Sequence, residues 1–144
     1  MKESWCNMRE IKFRGKTAIC QLATSEDCWV YGGVHSIYEN DDTCYIAMND
    51  YFKPRKAENL LVKKETVGQY TGLKDNNGVE IYEGDIVKAK FFNEEIIGYI
   101  GFAIGCFMIA GSGVSDNQMF VFNDIEVIGN IYDNPELLVE KAGE

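Results

Sequence analysis

Polar and apolar residues begin to alternate at Met8–Lys16, where Ile11 and Phe13 take one face and Lys12 and Arg14 the other. A period of two predicts a half-buried strand. The residues before it, Met1–Asn7, form a polar extension. After a turn-rich stretch at Thr24–Asp27, Cys28–Tyr38 reads as a strand interrupted at Gly32-Gly33, a bulge or sharp bend. Glu39–Asp42 is a polar tip and Thr43–Met48 the returning strand, so the two form a hairpin. Asn49–Lys64 carries Lys53-Pro54-Arg55-Lys56, a surface loop, and then Ala57–Val62, which fits a helical turn or an extended linker equally.

The second half is more sharply punctuated. Asp75-Asn76-Asn77-Gly78 is the strongest turn signal in the chain, because Asn-Gly accepts the positive φ that a tight reversal needs. Val79–Tyr82 follows as a short strand, Glu83-Gly84-Asp85 as a second reversal, and Ile86–Phe92 as a strand. Asn93–Glu95 is expected to turn the chain into Ile96–Phe102. Gly105–Ala110, Gln118–Phe122 and Glu126–Tyr132 supply three more strands. Asn134-Pro135-Glu136 places a capping residue, a proline at the first helical position and an acid suited to the helix dipole. A final helix of about two turns is expected there. Short strands at this spacing predict a mostly β protein: N-terminal strands with a hairpin over residues 1–64, and a small C-terminal β-barrel with a short helix over 65–144.

Composition agrees. Of 144 residues 46% are apolar, enough for a core, and 14 glycines with 16 Phe and Tyr suit strands and turns. The net charge of −9 is unevenly placed: residues 1–74 carry 11 Lys+Arg against 10 Asp+Glu, and residues 75–144 carry 3 against 13. An acidic second half argues against wrapping duplex DNA, where Lys and Arg contacts to phosphate supply the affinity. A basic patch built from Arg9, Lys12, Arg14, Lys16, Lys53, Arg55, Lys56, Lys63 and Lys64 is the remaining route to nucleic acid. Five cysteines at odd count and long spacing, with no C-x-x-C pair, fit reduced thiols in the cytoplasm better than a disulfide framework or a zinc ribbon. No signal peptide is apparent, and Ile96–Ala110 is too short and too rich in glycine for a membrane span.

Candidate chemistry is thin. His35 is the single histidine, so any Ser-His or Cys-His pair would have one base available, and no serine or cysteine context recommends itself. The carboxylates Asp41-Asp42, Glu94-Glu95 and Asp124-x-Glu126 read as solvated turn and edge residues, since adjacent side chains on a strand face opposite ways. The Asp75–Gly78 segment lacks the spaced acids and distal glutamate of a calcium loop. Gly111-Ser112-Gly113 lacks the Lys-Ser/Thr ending of a phosphate-binding loop. Aromatic residues at Tyr99, Phe102, Phe107, Phe120 and Phe122 could stack bases, but no Lys or Arg falls between Phe91 and Asn134, which favours core packing. No catalytic residue, metal ligand or cofactor is therefore expected.

The run Glu65–Val87, with Val67-Gly68-Gln69-Tyr70-Thr71-Gly72-Leu73 leading into the Asp75–Gly78 turn and Ile81-Tyr82-Glu83-Gly84-Asp85-Ile86-Val87, resembles the hallmark of the YopX family. Met8–Lys16, Trp29-Val30-Tyr31-Gly32 and Val127–Leu138 match the same pattern in the same order. The resemblance implies a small β-rich protein with a barrel-like C-terminal part, encoded mainly by phages and prophages of Gram-positive bacteria. It implies no catalytic residues to carry over. Within the matched run, Gly68, Gly72, Gly78 and Gly84 are expected at bends, Asp85 as an acceptor of backbone N–H groups, and Tyr70 and Tyr82 as packing partners.

The leading expectation is a non-enzymatic accessory protein that contacts itself and a phage or host protein, with Gln69, Tyr70 and Thr71 as a contact surface. The alternative is a nucleic-acid-binding module using the nine basic residues named above.

Overall fold

In the computed structural model, residues 10–17, 29–37, 43–47, 59–111, 117–118 and 122–139 are described. The alternation at the start becomes β1 (Phe13–Lys16), which pairs antiparallel with β2 (Trp29–Ile37), Phe13 opposite Gly32 and Lys16 opposite Trp29. β2 returns as β3 (Thr43–Ala47), the expected hairpin, with a register shift between Val34 and Ser36 just after the Gly-Gly pair. The ambiguous segment before residue 64 resolves in part as β4 (Asn59–Lys63), paired along its length with β3. A lone antiparallel bridge between Thr17 and Val62 brings β4 back against the end of β1. Val30 and Val62 are buried there, with Phe13 and Val67 packed around them.

A 3-10 turn, Lys64–Thr66, leads into β5 (Gly68–Lys74) and β6 (Glu80–Tyr82). β5 pairs with β1, so the first sheet has the order β4-β3-β2-β1-β5-β6. Hydrogen bonding thus runs straight across the boundary expected at 64/65, because β5 continues a sheet begun by the N-terminal strands. The sheet changes instead after β6. β5 can lie close to the next turn because residue 68 has no side chain: a Cβ on Gly68 would stand 2.5 Å from the Glu83 carbonyl oxygen.

The second sheet contains β7 (Asp85–Phe91), β8 (Glu94–Ala103), β9 (Cys106–Ala110), β10 (Asn117–Gln118) and β11 (Asn123–Asn130), in the order β10-β9-β8-β7-β11. Among the described residues no pairing joins β10 to β11, so the order is that of an open antiparallel sheet. Val87 and Ala89 on β7 and Ile96 and Ile100 on β8 sit on one face by the period of two. With Ile81, Ile109 and Phe122 they form the main buried cluster. Each large side chain so buried contributes about 1.5–3 kcal/mol. Among the described residues no helix is long and apolar enough to cross a membrane.

Two local expectations shift. The turn expected at Asn93–Glu95 falls at Phe92-Asn93, since Phe91 pairs with Glu94 and Phe92 takes a φ of 53°. The final helix, α1, is described over Glu136–Val139 only. Asn134 does not cap it through its side chain, whose oxygen accepts the Asn130 N–H instead.

Candidate functional site

The two sheets meet at Arg14. Its neighbours on β1 place Phe13 in the core and turn Arg14 the other way, towards the β6–β7 turn. There Nη2 donates to Asp85 Oδ1 at 2.6 Å, and both side chains are buried. Asp85 Oδ2 accepts the Tyr82 N–H at 2.8 Å, the acceptor role read from its place after Gly84. The guanidinium lies between two rings, 4.7 Å from the centre of Trp29 and 4.9 Å from that of Tyr82. Cation–π contact of this kind suits an arginine that has lost its water. Arg14 Nε is buried without a hydrogen-bond partner. Burial pushes the Asp85 carboxyl up, against the pull of Arg14 and the Tyr82 N–H. Burial and the neighbouring Glu80 also push the Tyr82 phenol well above its ordinary range.

A second set of contacts flanks the first. Asp133, just after β11, accepts from Lys16 Nζ, from Trp29 Nε1 at 3.0 Å and from Asn130 Nδ2 at 3.1 Å. Burial alone would raise its carboxyl, but these hydrogen bonds hold it below the usual carboxylate range. The Tyr132 hydroxyl donates to the Glu65 carbonyl at 2.8 Å, and its ring packs on Trp29. Gly84, at a φ of 86°, leaves that ring room, since a Cβ would meet it at 3.0 Å.

Two cavities open beside this junction and share Arg14 and Tyr31. One, of about 450 Å³, is lined by Lys12, Arg14, Tyr31, Val79, Glu80 and Tyr82. Tyr31 and Val79 are half-exposed there, and Tyr31 meets Tyr82 edge-on. The other, of about 470 Å³, runs past Trp29 to Asn130 and Asp133 and is mostly polar.

The basic residues of the nucleic-acid alternative are brought together only in part. Lys12, Arg14 and Lys16 stand on β1, but each is engaged: Lys12 with Glu80 at 2.6 Å and Glu10 at 3.2 Å, Arg14 with Asp85, and Lys16 with Asp133. Lys63 and Lys64 are exposed at the end of β4 and in the turn after it. Arg9, Lys53, Arg55 and Lys56 lie outside the described residues. The expected contact surface is corrected in two of its three members. Tyr70 and Thr71 are buried, Tyr70 packing its ring 5.4 Å from that of Tyr82 and Thr71 donating to the Ile81 carbonyl. Gln69 is half-buried. Among the described residues no group of His, Cys, Asp and Glu could hold a metal ion.

The surface feature missed by pattern reading lies at the β8–β9 turn. Ala103 pairs with Cys106, leaving a two-residue loop of Ile104 and Gly105 at φ of 52° and 74°. Positive φ at both positions marks the type I′ reversal, for which Asn-Gly is the favoured pair. Here a β-branched isoleucine takes the first place and is 98% exposed. Phe102 beside it is 54% exposed and meets Phe107 edge-on. At the opposite end of β8, Phe92 is also exposed, but it packs against Phe91. Among the described residues no core cluster includes Ile104.

Comparison with known proteins gives a family and one shared architecture. The family model described as YopX protein matches residues 4–139. The crystal structure of protein EF1440 from Enterococcus faecalis matches with a TM-score of 0.50 and 26% identity, over 90% of this chain and 98% of that one. No curated protein matches the sequence.

Proposed function

The chain belongs to the YopX family, and from that premise we propose that it is a non-enzymatic phage or prophage accessory protein of the bacterial cytoplasm, acting through protein–protein contact that includes contact between its own copies. The β8–β9 tip is the contact element. A single observation carries this reading: Ile104 is an exposed isoleucine in a left-handed backbone conformation.

Neither folding nor solvation selects that residue. A β-branched side chain at positive φ costs on the order of 1–3 kcal/mol, which an asparagine would largely avoid. Full exposure gives the side chain no burial in return. Seated in an apolar pocket of a partner, it would gain about 1.5–3 kcal/mol, comparable to the strain. Phe102 widens the same apolar tip. The nucleic-acid alternative is weakened because phosphate would have to displace the carboxylates that already hold Lys12, Arg14 and Lys16.

Sedimentation velocity over a concentration series tests the reading. Wild-type protein is expected to form reversible species larger than the monomer, and Ile104→Asp to remain monomeric. Identical profiles for the two proteins at every concentration would contradict it.

A further inference from the structure

We infer that Asn77-Gly78 is a site of spontaneous covalent modification, and that the isoaspartyl link formed there releases β11 from the β5–β6 turn. The asparagine amide is a thermolabile group, and the chemistry needs only water. The Gly78 backbone nitrogen attacks the side-chain carbonyl carbon of Asn77. A C–N bond forms, the amide nitrogen leaves as ammonia with the proton given up by Gly78, and a cyclic imide joins the two residues. Water then opens the imide. Cleavage at the side-chain carbonyl gives aspartate. Cleavage at the main-chain carbonyl gives isoaspartate, whose backbone runs through the former side chain and is one methylene longer.

The sequence and the turn single out this residue together. Asn77 is the one asparagine in the chain followed by glycine, and with no Cβ at residue 78 the attacking nitrogen is unhindered. Both residues are exposed, and no neighbouring atom lies within 4 Å of the place a Cβ would take at Gly78, so the imide has room. The nitrogen is nevertheless held: the Gly78 N–H donates to the Asp75 carbonyl at 3.0 Å. Asp75 Oδ1 accepts the N–H groups of Asn77 and Val79 to either side. Attack therefore waits for this turn to open locally, and the Asp75 carboxylate sets how often it does.

The same contacts carry the effect of the modification across the molecule. The N–H groups of Asn77 and Val79 stand on opposite sides of the altered link. A backbone lengthened between them no longer brings both to one oxygen. Through Oδ2 the Asp75 carboxylate also holds the Val127 N–H, and the Asn76 N–H beside it holds the Ile125 carbonyl. An isoaspartyl turn thus frees backbone groups on β11, an edge of the second sheet, where unpaired groups are open to other chains.

The experiment is timed incubation of the wild-type chain at mildly alkaline pH, with peptide mapping by mass spectrometry to place aspartyl and isoaspartyl products. The same chain unfolded in guanidinium chloride gives the ungated rate. Folded wild type is expected to convert at residue 77, more slowly than the unfolded chain. Asn77→Gln, whose longer side chain closes its ring far more slowly, should stay unmodified there. Asp75→Ala should convert at least about fivefold faster than wild type, the change expected when a buried N–H loses its acceptor. Ion exchange separates the modified protein, which has gained a negative charge, and hydrogen exchange is then compared between Val127 and Val87. Val127 should exchange faster in the isoaspartyl form than in fresh protein, with Val87 little changed. No product at residue 77 while the unfolded chain converts completely would overturn the inference. So would an isoaspartyl form in which Val127 exchanges as in fresh protein, or a folded Asp75→Ala that converts no faster than wild type. The wild-type measurements decide the matter even where Asp75→Ala fails to fold.

Discussion

The carboxylate of Asp75 accepts the backbone N–H of Val127 at 2.9 Å, joining residues 52 apart in the chain. Its other oxygen accepts the N–H groups of Asn77 and Val79, which closes the β5–β6 turn. Beside it the Asn76 N–H donates to the Ile125 carbonyl. β11 is an edge of the second sheet, and an edge strand offers unpaired backbone groups to other chains. Asp75 and Asn76 satisfy two of those groups with a turn from the first sheet.

Asp75→Ala is therefore expected to destabilise the fold by about 1–3 kcal/mol, the range for leaving a buried N–H without its acceptor. It should also expose the outer edge of β11. Hydrogen exchange at Val127 should accelerate far more than at Val87, across the β7–β11 pair. Equal changes at both amides would show that Asp75 acts on overall stability alone.

Stability should also depend on Asp75 through pH. Burial alone would raise its carboxyl, but the N–H groups of Val127, Val79 and Asn77 hold it below the ordinary aspartate range. The folded chain then releases this proton more readily than the unfolded chain. The resulting stability is present above about pH 4, the ordinary aspartate value, and is lost as pH falls through the folded value. Asp133 acts in the same direction. Asp85, raised by burial, acts in the opposite one, its share being lost as pH rises through its folded value. Denaturant unfolding at about pH 6 and about pH 3 should show a smaller loss for Asp75→Asn than for wild type. An equal loss would contradict the assignment.

The Arg14–Asp85 pair predicts a marked asymmetry between single and double replacement. Asp85→Leu leaves a buried guanidinium without its counter-charge and should cost about 3–5 kcal/mol. Arg14→Met combined with Asp85→Leu should recover much of that loss, because it removes the uncompensated charge from between Trp29 and Tyr82. A double variant no more stable than Asp85→Leu would mean that the Asp85 bond to the Tyr82 N–H carries the effect.

What the sequence made legible was local. Asp75–Gly78 announced its turn, and Gly84-Asp85 both a reversal and the backbone acceptor found there. The Tyr70–Tyr82 pairing followed from their places on either side of that turn. Arg14 was different. Alternation turned it away from Phe13, as observed, but suggested solvent on that side. Its partner stands 71 residues on, and period alone does not register such a contact. β4 was hidden because Asn59–Lys63 does not alternate and follows a proline and three cations. The apolar tip was hidden by the rule that turns are polar. That rule marked Asn93–Glu95 and passed over Phe92; the strands read at Ile96–Phe102 and Gly105–Ala110 left Ala103-Ile104 between them, but nothing polar marked the pair as a reversal.

The central claim is that Ile104 serves contact at the expense of folding, and thermal unfolding of Ile104→Asn in dilute, monomeric solution tests it most directly. Asparagine before Gly105 restores the favoured type I′ pair at φ of 52° and 74°. The variant is expected to unfold at a higher temperature than wild type, by the equivalent of about 1 kcal/mol. A variant that unfolds at a lower temperature would show that the isoleucine supports the fold itself, and the contact role would lose its basis.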